Sequence, residues 1–123
     1  MSRLENDPRA HIPLLPHVFE ILLSLSIRPR HGYGIISDVS ERTQGVVTIG
    51  TSTLYATIRR MLKAGLIEDH GDQPDESSDG PPRRYYAITG LGREVARLET
   101  ERLRRAGAAA EALLEDALAR RHD

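Results

Sequence analysis

The stretch TSTLYATIRRMLKAG, residues 51–65, decides the fold. Leu54, Ile58, Met61 and Leu62 fall on one helical stripe. Thr51, Ser52 and Thr53 before them are all competent N-cap residues, and Gly65 stands where a C-terminal cap glycine belongs. Opposite the apolar stripe lie Thr53, Thr57, Arg60 and Lys63, with Arg59 at the edge. A merely solvated helix mixes charge signs and favours acids near its start, where the macrodipole is positive. This one carries only hydroxyls and cations on its polar side.

Upstream, Pro16 suits the first turn of a helix, and Val18, Ile21, Leu22 and Leu25 recur at helical spacing with Phe19 beside them. Pro29 ends that segment. His31-Gly32 opens a second short helix, in which Tyr33, Ile36 and Val39 repeat every three residues and which Gly45 stops. Downstream, residues 66–68 read as a short strand. The polar stretch from Gly71 to Pro82 is expected to bury nothing, and residues 83–88 (RRYYAI) read as the returning strand, with Tyr86 and Ile88 on one side. Thr89 then caps a long final helix running to about Arg120. The order is helix, helix, helix, strand, long turn, strand, helix. That is a winged helix-turn-helix plan, mainly α with a two-stranded β wing. The expected organisation is a loose N-terminal arm over 1–12, the winged domain over 13–89 and a C-terminal dimerisation helix over 90–123.

At 123 residues this is one domain. The absence of cysteine excludes disulfides, zinc-thiolate sites and thiol nucleophiles. With 39% hydrophobic and 28% charged residues, the composition is that of a globular protein with well-solvated helices. No apolar run approaches the ~20 residues that span a bilayer, and the opening MSRLENDPRAH does not read as a secretory signal. A cytoplasmic protein with no membrane association is expected.

Net charge is −1, from 17 basic against 18 acidic residues, which taken globally argues against nucleic acid. Its distribution argues the other way. Between Arg42 and Ile67 the charged residues are Arg42, Arg59, Arg60 and Lys63, all basic; from Glu68 to Asp79 they are Glu68, Asp69, Asp72, Asp75, Glu76 and Asp79, all acidic; Arg83 and Arg84 follow. A helix-turn-helix protein lays its recognition helix into the major groove, N-terminal residues first. Small hydroxyls and free backbone N–H groups near that end favour phosphate, and Arg or Lys one and two turns on reach phosphates or guanine edges. Thr51, Ser52, Thr53, Thr57, Arg59, Arg60 and Lys63 fit that arrangement, with Arg83 and Arg84 as the wing. The competing reading from another class is a winged-helix interaction module whose hydroxyl-and-arginine face binds an acidic protein.

Catalysis has no candidate constellation and no cofactor is implied. His31 is either a metal ligand, or a base working with Asp38 or Ser37, or a loop histidine bonding the start of the second helix. The last reading is favoured, because no second histidine lies at ligand spacing. His11, His17 and His70 make no coherent metal site. Gly32 and Gly34 are not a phosphate loop, since no strand leads in and no lysine follows.

His31-Gly32-Tyr33-Gly34, Thr53-Leu54-Tyr55, Ala64-Gly65-Leu66-Ile67 and Arg84-Tyr85-Tyr86-Ala87-Ile88-Thr89 together resemble the PadR family of bacterial transcriptional regulators, over about Leu14 to Arg93. The resemblance implies a dimeric winged-helix repressor on duplex DNA, usually released by a small-molecule effector, and a smaller subgroup with a single C-terminal helix. By position it makes Tyr55 and Tyr33 contacts to the DNA backbone and Arg84-Tyr85-Tyr86 the wing strand. Two departures stand out: Ala56 follows the Leu-Tyr pair where proline often does, and Ser52 replaces a frequent glycine. Some members hold flat aromatic effectors between tryptophans, and this chain has none.

In the final helix, Leu103, Ala106, Ala110, Leu113 and Ala117 form a coiled-coil-like seam, with Leu114 beside it. A helix of about 30 residues is ~45 Å long, more than a small body covers, so pairing with a second copy is expected. The resemblance implies that the first helix joins that interface, through Leu14, Leu15, Phe19 and Leu22.

Overall fold

The computed structural model describes residues 6–75 and 79–121. Residues 1–5 of the expected arm and Glu76 of the acidic run lie outside them. After a 3-10 turn at Pro8–His11 come α1 (Pro16–Ile27), β1 (Arg30–His31), α2 (Gly32–Arg42), α3 (Thr51–Lys63), β2 (Ile67–Gln73), β3 (Arg83–Ile88) and α4 (Gly90–Arg121).

The three short helices bury their apolar faces against one another and the sheet. Ile21, Leu22 and Leu25 of α1, Ile35 and Val39 of α2, and Leu54, Ile58 and Met61 of α3 share one core with Ile67, Tyr86, Ile88 and Val95. Each such Leu or Ile contributes about 1.5–3 kcal/mol by leaving water. The stripes of α1 and α3 are those the sequence predicts. On α2 the buried row is Gly32, Ile35 and Val39, while Tyr33 faces solvent. The helix is rotated from the expected Tyr33–Ile36–Val39 register because Gly32 must sit against α3. Gly50, not a hydroxyl residue, occupies the N-cap position of α3. Thr51 is already helical, which leaves its hydroxyl, like those of Ser52 and Thr53, unused as a cap.

The sheet has three strands in the order β1-β3-β2, all antiparallel, where two were expected. The extra strand is two residues long and too short to show a period: Arg30 pairs with Tyr86 and His31 with Tyr85. β2 runs to Gln73, past the expected end at residue 68, because β3 offers it partners on both sides of a bulge, with Asp72 opposite Arg84 and Gln73 opposite Arg83. A bulge at Asp69/Gly71 interrupts the ladder. The 71–82 stretch also buries Asp75, contrary to expectation.

Residues 7–12, expected as part of a loose arm, are docked. The Asp7 carboxylate accepts the Arg9 amide at 3.0 Å and starts the 3-10 turn, which packs on α4, while Ile12 packs against the core. The anchor is Glu99, only 1% exposed. A buried carboxylate demands donors. Glu99 takes the Leu14 amide at 2.7 Å and the Arg102 guanidinium at 2.5 and 3.1 Å. The bonds from Arg102, then that from Leu14, hold its carboxyl below the usual range.

Thr89 opens α4 as the sequence predicts. Its hydroxyl accepts the Gly92 amide at 3.0 Å and lies 2.6 Å from the Gly65 carbonyl oxygen. Gly92 is pressed against the body: a Cβ there would stand 2.1 Å from the Leu66 carbonyl oxygen and 2.9 Å from Ile88. Backbone oxygen cannot retreat as a flexible side chain does. Gly92→Ala is therefore expected to destabilise the domain by about 3 kcal/mol, the top of the overpacking range, read as a lowered urea midpoint at unchanged slope. A midpoint within error of the parent would show that α4 does not sit this close.

Candidate nucleic-acid interface

With Leu54, Thr57, Ile58 and Met61 turned into the core, α3 exposes Thr51, Ser52, Thr53, Tyr55, Arg59, Arg60 and Lys63. Ser52, Arg59 and Lys63, seven and eleven residues apart from the first, stand opposite the buried stripe. Arg59 thus moves from the edge of the expected polar face to its middle. Thr57 leaves that face altogether. It is fully buried, its hydroxyl donating to the Thr53 carbonyl at 2.7 Å and lying 3.4 Å from Arg60 Nη2. Periodicity placed it on the polar side because threonine is polar; its hydroxyl is instead satisfied within the helix.

Among the described residues, Arg59, Arg60 and Lys63 form no ion pair. Other cations of the body are already engaged. Arg42 bonds Glu20 at 2.6 Å and Asp38 at 3.3 Å, tying α2 to α1. Arg30 donates to the Ser24 carbonyl at 3.1 Å and meets Asp38 at 3.5 Å.

Two tyrosines and the wing converge beside α3. The Tyr55 ring crosses the start of α2 so closely that a Cβ on Gly32 would lie 2.6 Å from its hydroxyl oxygen, so a larger residue there would push the ring aside. Tyr33, 62% exposed, lies under the Arg83 guanidinium, 5.2 Å from its ring centre. Gly32, Tyr33, Tyr55, Pro81, Arg83 and Arg84 line a cleft of about 260 Å³ between α2, α3 and the wing.

His31 holds the joint behind this cleft. Its Nδ1 accepts the Gly34 amide at 3.0 Å and so caps α2, the role the sequence reading favoured. Its partner on the other side is Asp75 (Nε2 to Oδ2, 3.4 Å), not Asp38 or Ser37, and Asp75 also meets Arg83 at 3.3 Å. Sequence reasoning missed Asp75 because 44 residues of chain separate it from His31. Burial, opposed by Asp75, pushes the His31 imidazole below its usual value. A groove of about 1110 Å³ next to this joint is lined largely by charged groups, including Arg30, Asp38, Asp75 and Arg83.

The expected interface residues divide. Leu22 is fully buried in the protomer's own core. Its position on the buried side of α1 gives it to the fold, which corrects its assignment to a dimer surface. Leu14 and Phe19 are half-buried and Leu15 is exposed. Every residue of α4 from Leu103 to Arg121 is exposed, including Ala106, Ala110, Leu113, Leu114, Ala117 and also Leu118. Among the described residues, no helix is long and apolar enough to cross a membrane.

A third helix whose outward cations form no ion pair among the described residues, a short helix crossing it and a three-stranded sheet beside it define a winged helix-turn-helix module. Residues 21–98 match the transcriptional regulator PadR-like family, and the chain belongs to that family. It is a DNA-binding transcriptional regulator rather than an enzyme. It is similar to an uncharacterized protein of Lysinibacillus sphaericus, 40% identical over 79 residues that span 63% of this chain and 69% of that one. In fold it is similar to a PadR-like transcriptional regulator of Bacillus cereus (27% identity, TM-score 0.63, 79% of this chain and 89% of that one). A PadR family transcription regulator of Clostridium difficile shares the fold at 24% identity (TM-score 0.68, 80% and 97%).

Because Nδ1 must be unprotonated to cap α2, the neutral form of His31 is the folded form. An imidazole lowered in the folded state stabilises fully above its unfolded value, near 6.5, and loses that contribution as pH falls from there through the folded value. His31→Ala is expected to cost about 1 kcal/mol at neutral pH, as for other lost caps. Denaturation of both proteins between pH 7.5 and 5 checks this: the gap between them should narrow as pH falls, and a constant gap would show that His31 is not the titrating cap.

Proposed function

We propose that this regulator is a repressor that binds a two-fold operator as a homodimer. Each protomer lays α3 in the major groove, with Thr51, Ser52, Thr53, Tyr55, Arg59, Arg60 and Lys63 toward the DNA. Tyr33 reaches the backbone, and Arg83 and Arg84 of the wing lie on the flanking phosphates. The observation that carries the reading is that Arg59, Arg60 and Lys63, on the outward face of α3, form no ion pair among the described residues. Unpaired cations release counterions from DNA at no cost in broken ion pairs.

The second protomer joins along the distal half of α4. The 32-residue helix is about 48 Å long at 1.5 Å per residue, and its buried residues, Gly92, Val95, Ala96 and Glu99, all lie in its first third. Leu113, 69% exposed, and Leu114, Leu118 and Leu103 beside it have no cover within the protomer. Leu14, whose amide bonds Glu99, extends the surface together with Leu15 and Phe19. A symmetric pair then sets two α3 helices at half-sites one turn, ~34 Å, or a multiple apart. A cytoplasmic location goes with this activity.

Fluorescence anisotropy with DNA from upstream of the protein's own gene, against scrambled DNA and across a salt series, tests the reading. Sequence-selective binding that falls steeply with salt is expected. Arg59→Ala with Lys63→Ala should weaken it roughly ten- to a hundredfold and flatten the salt slope by about one unit per lost phosphate contact. Retained affinity in that folded double variant would remove α3 from the interface.

Leu113→Asp with Leu114→Asp leaves the winged body untouched. Light scattering should report a monomer, and operator affinity should drop by about a hundredfold through lost bivalency. A dimer that survives both aspartates would place the pairing surface elsewhere.

A further inference from the structure

The two wing arginines are held in different ways. Arg83 sits over Tyr33 and meets the buried Asp75 at the base of the wing. Arg84, next along β3, points to the opposite side of the strand and is half exposed. Its Nη1 lies 2.6 Å from Asp69 Oδ2 and its Nε 3.5 Å from Asp72 Oδ1. Both acids belong to β2, and Asp72 is the direct cross-strand neighbour of Arg84. The remaining charged groups of β2, Glu68 and His70, are paired with each other at 3.0 Å.

Asp69 is placed by the backbone. Its Oδ1 accepts the Gly71 amide at 2.7 Å, and the bulge at Asp69/Gly71, with Gly71 at φ +77°, turns this carboxylate toward β3. The Gly71 amide, then Arg84, hold the Asp69 carboxyl below its usual range, and Asp69 in turn raises Arg84. One guanidinium thus faces two carboxylates, and the local sum is negative on the part of the wing that flanks α3.

We propose that Asp69 and Asp72 form an electrostatic latch on Arg84, which DNA must open by exchanging two carboxylates for a phosphate. The inference rests on the reading of α3 and the wing as the DNA surface, and adds to it a device that limits affinity. In the free protein the wing presents one anchored cation, Arg83, and one neutralised cation, Arg84. On the operator, Arg84 swings from the acids to a phosphate, and the acids stay behind as a repulsive pair. Non-operator DNA, to which the wing is less well fitted, gains too little from the swap to open the latch. The acidic strand therefore trades affinity for discrimination.

The test is a set of variants on the full chain, with operator and scrambled duplexes in a salt series. Asp69→Asn with Asp72→Asn keeps the acceptor for the Gly71 amide and removes both charges. It is expected to bind operator roughly fivefold tighter at low salt, in line with the upper end for exposed ion pairs, with little change in salt slope because Arg84 meets a phosphate there in the parent too. On scrambled DNA, where the parent's latch stays closed, the slope should steepen by about 0.9 for one added phosphate contact. Scrambled DNA should gain at least as much, so selectivity falls. Adding Arg84→Ala to that variant should abolish the gain.

Two outcomes overturn the latch while leaving the DNA reading intact. One is unchanged affinity for both duplexes in the Asn variant while Arg59→Ala with Lys63→Ala still weakens binding. The other is a gain that persists without Arg84, which would assign it to the general field of the acids. If neither parent nor variants bind duplex, the DNA reading falls and the latch with it. Thermal unfolding of each variant, expected to match the parent because both acids are at the surface, separates binding effects from folding.

Discussion

Four elements meet at the main chain of Leu66. Its amide donates to the Met61 carbonyl at 3.0 Å and closes the end of α3. Its carbonyl accepts from the Thr89 amide at 3.1 Å and lies within 3.0 Å of the Thr89 hydroxyl. That same oxygen rests against Gly92 of α4 with no room for a Cβ. The end of α3, the first rung of the wing, the end of the returning strand and the start of the long helix are therefore set relative to one another by the main chain of one residue. A shift there would tilt α3 against the wing and move the distal half of α4 by an amount that grows along its length.

Eight cations of the winged body and its anchor divide by partner. Arg30, Arg42 and Arg102 are used internally, on Asp38, Glu20 and Glu99, and fasten α1 to α2 and the N-terminal segment to α4. Arg83 and Arg84 are paired within the wing, one with a buried carboxylate and an aromatic ring, the other with two surface carboxylates. Arg59, Arg60 and Lys63 have no acid beside them among the described residues. A near-zero net charge conceals this partition, because what matters to a polyanion is the charge left over after internal pairing. Among the described acids of residues 68–79, Asp69, Asp72 and Asp75 pair with the wing arginines.

His31 and Asp75 join the wing to α2. A β-hairpin is marginal by itself, and this one leans on β1, two residues long, and on an ionic joint at its base. The imidazole serves α2 through one nitrogen and the wing through the other, so the helix that crosses the recognition helix and the strand pair that flanks it share one residue. Tyr55 over Gly32 and Tyr33 under Arg83 continue that joint to the surface.

The sequence alone carried the plan of the domain, because its signals are local. The stripe Leu54-Ile58-Met61 and Gly65 delimit α3, Pro16 opens α1, Thr89 opens α4, and the seam from Leu103 to Ala117 marks a helix with an uncovered side. His31 as a cap was legible for the same reason, since donor and acceptor lie three residues apart. What periodicity could not supply was rotation and partnership. Thr57 went to the surface in the sequence reading because residue type and spacing do not say which flank of a stripe meets a neighbouring helix, and Leu22, on the apolar stripe by spacing, went to the dimer surface through the family resemblance; both are buried in the protomer, and Arg59 stands at the centre of the outward face. β1 has too few residues to show a period, and Asp75, Glu99 and Arg84 find their partners 44, 85 and 15 residues away. Pairing over such separations depends on how the core closes, so only the tertiary structure decides which charges find partners.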